Sequence, residues 1–398
     1  MKVLFVAPWV PGPVRSRSVG MLRLLRRYAD VRVLALSDGM DEGQLGVDMG
    51  QSMELVRNRS SRALLRAAGA YAAGRSLQTA YADAPQFRHA FSRVMLEWRP
   101  DVVHLNVFRT AHLAVCAAAT PVVIDLDEFR SEYYTQLSRS AGTLRRVIAR
   151  HESRSMKLAE DELVRSNAHI LVSGEAEGAR VQRGHIHVVR TPVWSSVRRG
   201  VYGPAEPPIL LFAGRLSYEA NVDAICWFAR TIWPLVHEVH PAARLRIVGS
   251  EPRRAVRALA DLAGVEIHAN VASLDPHYAA ATIAICPLER ATGVQLKLIQ
   301  ALAASVPTVV SPLVAELAGT ADGKEVLVAS TPRAWLEATL RLLGNRELQQ
   351  QLAAGGMAWY ERNHSPDVVA RQLEVAYRSV CDAGGPTVSA SPPRKVEA

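Results

Sequence analysis

Four groups of residues in this chain have types and spacings that could do chemistry. Lys297 and Gln300 lie in PLERATGVQLKLIQALAASVPTVVSP, residues 287–312, three apart on a helix-patterned segment and therefore pointing the same way. That segment follows an apolar strand, TIAICPL, and a polar turn carrying Gly293. Strand, glycine, helix is the order that offers helix N–H groups and a nearby cation to an anion. Arg215 comes directly after Gly214 in ILLFAGR, and Gly249 ends RLRIVG, so two strands finish in glycine where backbone must approach a ligand closely. Gly12, Arg15 and Arg17 occupy a Pro/Gly loop after the first strand, where planar guanidinium groups suit a phosphate or a carboxylate. Asp125 and Asp127 form a D-x-D at the end of the strand PVVID, a spacing that can hold a metal and a diphosphate. Because it closes a central strand, the preferred reading is a site lining without metal. Each group also has a plainer account. A Lys and a Gln three apart suit the solvated face of any amphipathic helix, and a basic loop suits any surface turn.

The elements that must position these residues alternate regularly. Residues 2–7, KVLFVA, read as a buried strand. The helical pattern MLRLLRRYA, strand 31–36, helix 85–98, strand VVHLN, helix 109–118, strand PVVID, helix 143–165, strand HILVS and a helix capped by Ser173 follow. HIHVVRTPVWSSVRRGVYGPAEPP then shifts to Pro, Gly and Ser, which marks a linker. Beyond it come ILLFAG, helix 221–238, RLRIVG, helix 252–263, VEIHA, TIAICPL, the helix with Lys297, PTVVS, VLVAS and helices 332–343 and 345–361. This alternation implies an α/β protein of two Rossmann-like domains with parallel sheets. The expected division is a Rossmann-like domain 1–195, a linker 196–207, a second Rossmann-like domain 208–364, a helix 365–382 and a disordered tail 383–398.

At 398 residues, 49% hydrophobic and 21% charged, the chain has material for two cores. Four scattered cysteines, without C-x-x-C spacing, indicate neither a zinc site nor disulfides. The opening is too short and wrongly flanked for a signal peptide, and no run of about eighteen apolar residues occurs. A cytoplasmic protein is expected. Residues 1–200 hold 29 Lys+Arg against 19 Asp+Glu, whereas residues 201–398 hold 18 against 19, so the first half carries the whole excess of positive charge. No motif points to nucleic acid. Within that half, LVRNRSSRALLRAAGAYAA, residues 55–73, sets arginines among Leu, Ala and Tyr. It fits either peripheral contact with an anionic inner membrane face or a solvated helix packed on the sheet.

The stretch GVQLKLIQALAASVPTVVS resembles the donor-site signature of family-four glycosyltransferases of the GT-B fold, with Gly293, Lys297, Ala301, Ala303 and Pro307 matching. The likeness extends through residues 209–252. It is strong over 208–363 and looser over the N-terminal half, where the strands and Ser173 carry it. It implies a GT-B fold, with an acceptor domain 1–195 and a nucleotide-sugar donor domain 208–364 facing across a cleft, helix 365–382 crossing back to the first domain, and Gly12, Arg15 and Arg17 as acceptor-side or phosphate contacts. The enzyme so implied moves a sugar from a nucleotide-sugar donor to a lipid-linked, polysaccharide or small-molecule acceptor. The resemblance further implies retention of configuration and no metal or other cofactor. By the same likeness Arg215 and Lys297 contact the diphosphate, Thr292, Gly293 and Val294 meet phosphate and sugar hydroxyls, and Asp127 stands where the family commonly has a donor-sugar histidine. Three departures stand out. Gln300 replaces a ribose-binding Glu, Thr292 replaces another Glu, and Ser305 replaces a Gly. Asn221 takes the place of a second basic residue six positions after Arg215. These departures keep open a degenerate protein acting as a binding or partner subunit; an epimerase of the same fold is the third reading.

Overall fold

The computed structural model describes residues 1–12, 16–37, 52–58, 60–140, 142–166, 168–175, 178, 185–194 and 206–382. Two all-parallel sheets organise them. The first contains β1 (Lys2–Ala7), β2 (Asp30–Ser37), β3 (Met53–Arg57), β4 (Val102–Asn106), β5 (Val122–Asp127), β6 (His169–Val172) and β7 (Ile186–Val188), in the order β3-β2-β1-β4-β5-β6-β7. The second contains β8 (Ile209–Ala213), β9 (Arg244–Gly249), β10 (Val265–Ala269), β11 (Ile283–Cys286), β12 (Thr308–Val310) and β13 (Leu327–Val328), in the order β10-β9-β8-β11-β12-β13. In each sheet the order reverses beside its first strand, between β1 and β4 and between β8 and β11. Such a switch point leaves a crevice beyond the strand ends because the two flanking connections leave toward opposite faces.

Both faces of each sheet are covered, which is why the strands read as continuous apolar runs rather than alternating ones. From β1, Leu4 and Val6 join Phe87 and Phe91 of helix Pro85–Trp98, while Val3, Phe5 and Ala7 join Met21, Leu24 and Leu25 of helix Ser16–Leu25. The second face is completed by helix Pro366–Asp382, whose Val369, Leu373, Ala376, Tyr377 and Val380 recur at helical spacing. The chain accordingly divides into one unit of Met1–Pro192 with the residues from Val369 onward, and a second of Val193–Val368.

Several elements differ from their sequence reading. The segment 55–73 is not one helix but the end of β3 followed by helix Ser60–Ala72. The segment 221–238 is two helices, Glu219–Thr231 and Trp233–Val239, since Pro234 lacks an N–H and begins a new first turn. Residues 252–263 give only a short helix, Arg254–Arg257, and a 3₁₀ turn, and residues 108–116 wind as a 3₁₀ helix. Arg15, Arg59, Glu177, most of the expected linker and the expected tail lie outside the described residues.

Candidate anion-binding site

At the switch point of the second sheet, three segments distant in sequence converge. Gly214 follows β8, Asn221 lies in the first turn of helix Glu219–Thr231, and Lys297 lies in the first turn of helix Leu296–Ala303 after β11. The Lys297 ammonium donates to Asn221 Oδ1 at 2.8 Å, and Asn221 Nδ2 donates to the Arg215 carbonyl at 2.9 Å. A Cβ placed on Gly214 would meet Asn221 Nδ2 at 3.0 Å and Lys297 Cε at 3.2 Å, so glycine leaves room for both side chains. Gly249 is needed more strictly, because a Cβ there would lie 1.6 Å from the Gly214 carbonyl oxygen. Lys297 also stands over the Phe212 ring, 5.6 Å from its centroid. Burial lowers its pKa below the ordinary lysine value.

The remaining residues expected here sit nearby. Arg215 is bound at the surface by Glu251, Nη2 to Oε2 2.7 Å, and by Ser217, Nε to Oγ 3.0 Å. Both members of the ion pair are about half exposed, so an arriving anion can compete for the guanidinium at little cost. Gly293 takes φ 63°, in the left-handed region, and the Thr292 and Gly293 carbonyls each accept from Gln295 Nε2 at 3.2 Å. Val294 is half-buried against the adjoining core. Gln300 Oε1 accepts from the buried Tyr278 hydroxyl at 3.4 Å, and the same hydroxyl lies 3.2 Å from the Lys297 carbonyl. Tyr278 thus ties the Gln300 side chain to the backbone of Lys297 one turn earlier.

The first sheet carries a cavity of about 290 Å³ at its own switch point, lined by Trp9, Asn106, Val107, Arg109 and Asp127 among others. Arg17 reaches its wall but is directed into the fold, which corrects its reading as an open phosphate contact. Its Nη2 donates to Asp125 Oδ1 at 2.7 Å and its Nη1 to the Val189 carbonyl at 2.9 Å. Asp125 is fully buried, so of the D-x-D pair only Asp127 presents its carboxylate to the cavity. Removal from water and the adjacent Asp125 raise the Asp127 pKa, with Arg17 opposing. His104, behind Asp125, hydrogen-bonds Tyr377 at 2.9 Å, and burial pushes its pKa down to about 3, so it is neutral at pH 7. Gly12 is buried.

Two residues at this cavity have unusual backbone. Asp127 has φ 65° at a β-bulge between β5 and β6, and Val107 has φ 60° with ψ 160°, a conformation a β-branched residue rarely takes. Beside them Asn106 is 1% exposed; its Oδ1 accepts from Ser18 at 2.7 Å, while its Nδ2 finds no partner among the described residues. Sequence reasoning passed over Asn106, Val107 and Tyr278 as site residues, and no local pattern marks them. Asn221 carried a signal, its position six residues after Arg215. Among the described residues no group of three or more His, Cys, Asp or Glu is placed to hold a metal ion.

Comparison with known proteins bears on both domains. Residues 207–345 match the family described as glycosyl transferases group 1. The chain is similar to glycogen synthase of Mycobacterium tuberculosis (strain CDC 1551 / Oshkosh), with 32% identity over 163 residues, 38% of this chain and 36% of that protein. It spans about a third of the length of the curated relatives it matches. In fold it is similar to sucrose-phosphate synthase of Thermosynechococcus elongatus, at TM-score 0.68 and 14% identity over 96% of this chain and 100% of the other. It is also similar to Anabaena Alr3699/HepE in complex with UDP-glucose, at TM-score 0.67 and 13% identity over 95% and 100%. The Gly214–Asn221–Lys297 cluster thus lies within the residues that match glycosyl transferases group 1, in a chain whose two parallel-sheet domains have the GT-B fold.

Proposed function

We propose that this protein is a glycosyltransferase that moves a sugar from a nucleotide-sugar donor to a lipid-linked, polysaccharide or small-molecule acceptor, with retention and without metal. The observation that carries the reading is the Lys297 ammonium held by a neutral amide at the switch point of the second sheet, beside Gly214 and Arg215. A sugar leaving a nucleoside diphosphate develops negative charge on the diphosphate. Cations fixed in advance stabilise that charge without rearranging at the moment of reaction. Lys297 and Arg215 take that role, with backbone around Thr292, Gly293 and Val294 against phosphate and sugar hydroxyls. The cavity at β4 and β5, with Asp127 on its wall, serves the acceptor or the transferred sugar.

Gln300 favours a second reading, a binding subunit without turnover. It offers one acceptor oxygen and no charge where a carboxylate would take both ribose hydroxyls.

The test is thermal unfolding with UDP, GDP and ADP and their glucosides, followed by transfer assays with and without EDTA. Stabilisation by one base together with EDTA-resistant turnover is expected. Stabilisation without turnover on any acceptor would leave the binding reading, and strict dependence on Mg²⁺ or Mn²⁺ would refute metal independence.

A further inference from the structure

Three histidines meet at the outer edge of the first sheet. β7 is its last strand and pairs with β6 alone, over three residue pairs: Ile170 with Ile186, Leu171 with His187 and Val172 with Val188. His169 opens β6 and is 2% exposed. Its Nδ1 lies 3.1 Å from His187 Nε2, and the two rings are within 7° of parallel, with centroids 5.4 Å apart. The His185 ring stands edge-on to His169 at the same 5.4 Å. At the 3.1 Å contact one nitrogen donates and the other accepts, so the pair needs one ring nitrogen without a proton.

Burial, together with the neighbouring His187 and His185, pushes the His169 pKa down to about 4, and burial beside His185 lowers that of His187. No carboxylate is among the charges acting on either ring. Among the described residues, the titratable groups that face this side of the sheet from other elements are Arg17 of helix Ser16–Leu25, Tyr377 of helix Pro366–Asp382, His104 of β4 and Asp125 of β5. They bind one another. A histidine whose packed pKa lies below its free value of about 6.5 takes up a proton when it is released. Release therefore becomes easier as pH falls from about 6.5 toward about 4.

The residues after β7 give such a release a consequence. The Val189 carbonyl and Thr191 Oγ1 accept from Arg17 Nη1 at 2.9 and 3.2 Å, and the Arg190 N–H donates to Gln372 Oε1 at 3.0 Å. Arg17 in turn holds Asp125 and stands 3.4 Å from the Asp127 carboxylate at the cavity. A short edge strand, bonded on one side only, is among the first parts of a sheet to open. We propose that His169, His185 and His187 make β7 an acid-released latch, whose opening takes the Val189 and Thr191 acceptors from Arg17 and loosens the Asp127 wall of the cavity.

The test is hydrogen–deuterium exchange of the full chain at pH 7.5 and pH 5.5, corrected for the pH dependence of intrinsic exchange. Opening of peptides covering 185–191 should rise about tenfold or more on acidification, the factor for one histidine shifted from about 6.5 to about 4, while β4 and β5 keep their protection. Changing His169 and His187 together to Gln leaves two amides that hydrogen-bond without titrating. In that variant the rise should fall below about threefold, with the parental unfolding midpoint at pH 7.5. Proton NMR of the histidine Cε1 positions in the parent gives an independent reading: the His169 signal, assigned by its loss in His169→Gln, should titrate below about pH 5. Equal protection of 185–191 at both pH values, a Gln variant that responds as the parent does, or a His169 signal titrating near pH 6.5 would each overturn the proposal. So would β4 and β5 opening in step with β7, because the acid response would then belong to the whole domain.

Discussion

Lys297 and Asn221, 76 residues apart in the chain, are joined by a 2.8 Å hydrogen bond from Nζ to Oδ1, and the other end of the same amide holds the Arg215 carbonyl at 2.9 Å. One neutral side chain thus positions both residues assigned to the leaving diphosphate. An amide can hold an ammonium without cancelling its charge, so Lys297 remains attractive to an anion. A carboxylate in that place would neutralise it.

Three substitutions follow from this geometry. Arg215→Ala and Lys297→Ala should each lower turnover by roughly 10²–10³ while the far-ultraviolet circular dichroism stays that of the parent. Asn221→Asp should weaken nucleotide binding by about tenfold or more, the cost of an internal counter-ion competing with the diphosphate. Titration calorimetry reads the last effect, and parental affinity in the Asp variant would show that Lys297 does not face the phosphates.

Gln300 is set to test the ribose contact. Gln300→Glu is nearly isosteric, keeps the Tyr278 hydroxyl as a donor and adds charge and a second acceptor. Donor nucleotide should bind about tenfold tighter, equivalent to roughly 1–2 kcal/mol. The gain should shrink with a 2′-deoxyribose nucleotide. Equal affinity in both proteins would remove Gln300 from the ribose site.

Ser305 bears on stability rather than on chemistry. It follows helix Leu296–Ala303 with φ 58°, its N–H donates to the Leu302 carbonyl at 3.0 Å, and the Val306 N–H donates to the Ala301 carbonyl at 2.9 Å. That is a Schellman ending, in which the left-handed position favours glycine. Its hydroxyl is buried without a partner among the described residues. Ser305→Gly should raise stability by about 1 kcal/mol in urea unfolding, relieving left-handed strain and an unpaired hydroxyl against glycine's greater freedom when unfolded. A fall in stability would mean that the hydroxyl is satisfied in solution.

What the sequence determined by itself was local and periodic. Buried strands such as KVLFVA and ILLFAG, the helices between them, Gly214 and Gly249 at strand ends, and Gly293 and Lys297 at the start of a helix follow from residue type and spacing, because backbone geometry repeats over a few residues. Tertiary structure alone decided which of those residues meet. Arg17 reads as a loop cation, yet it binds Asp125, 108 residues away, because β1 and β5 flank β4 and bring the helix after β1 over that strand end. Asn221 became the link between Arg215 and Lys297 only once β8 and β11 lay side by side. Helix Ser60–Ala72 shows the limit most plainly. Its composition gives a basic amphipathic helix, but which face turns inward was set by the Asn58 side chain and the carbonyls of Ala80 and Tyr81, which capture Arg66. Partners of that kind are supplied by other segments, and no periodicity within the helix encodes them.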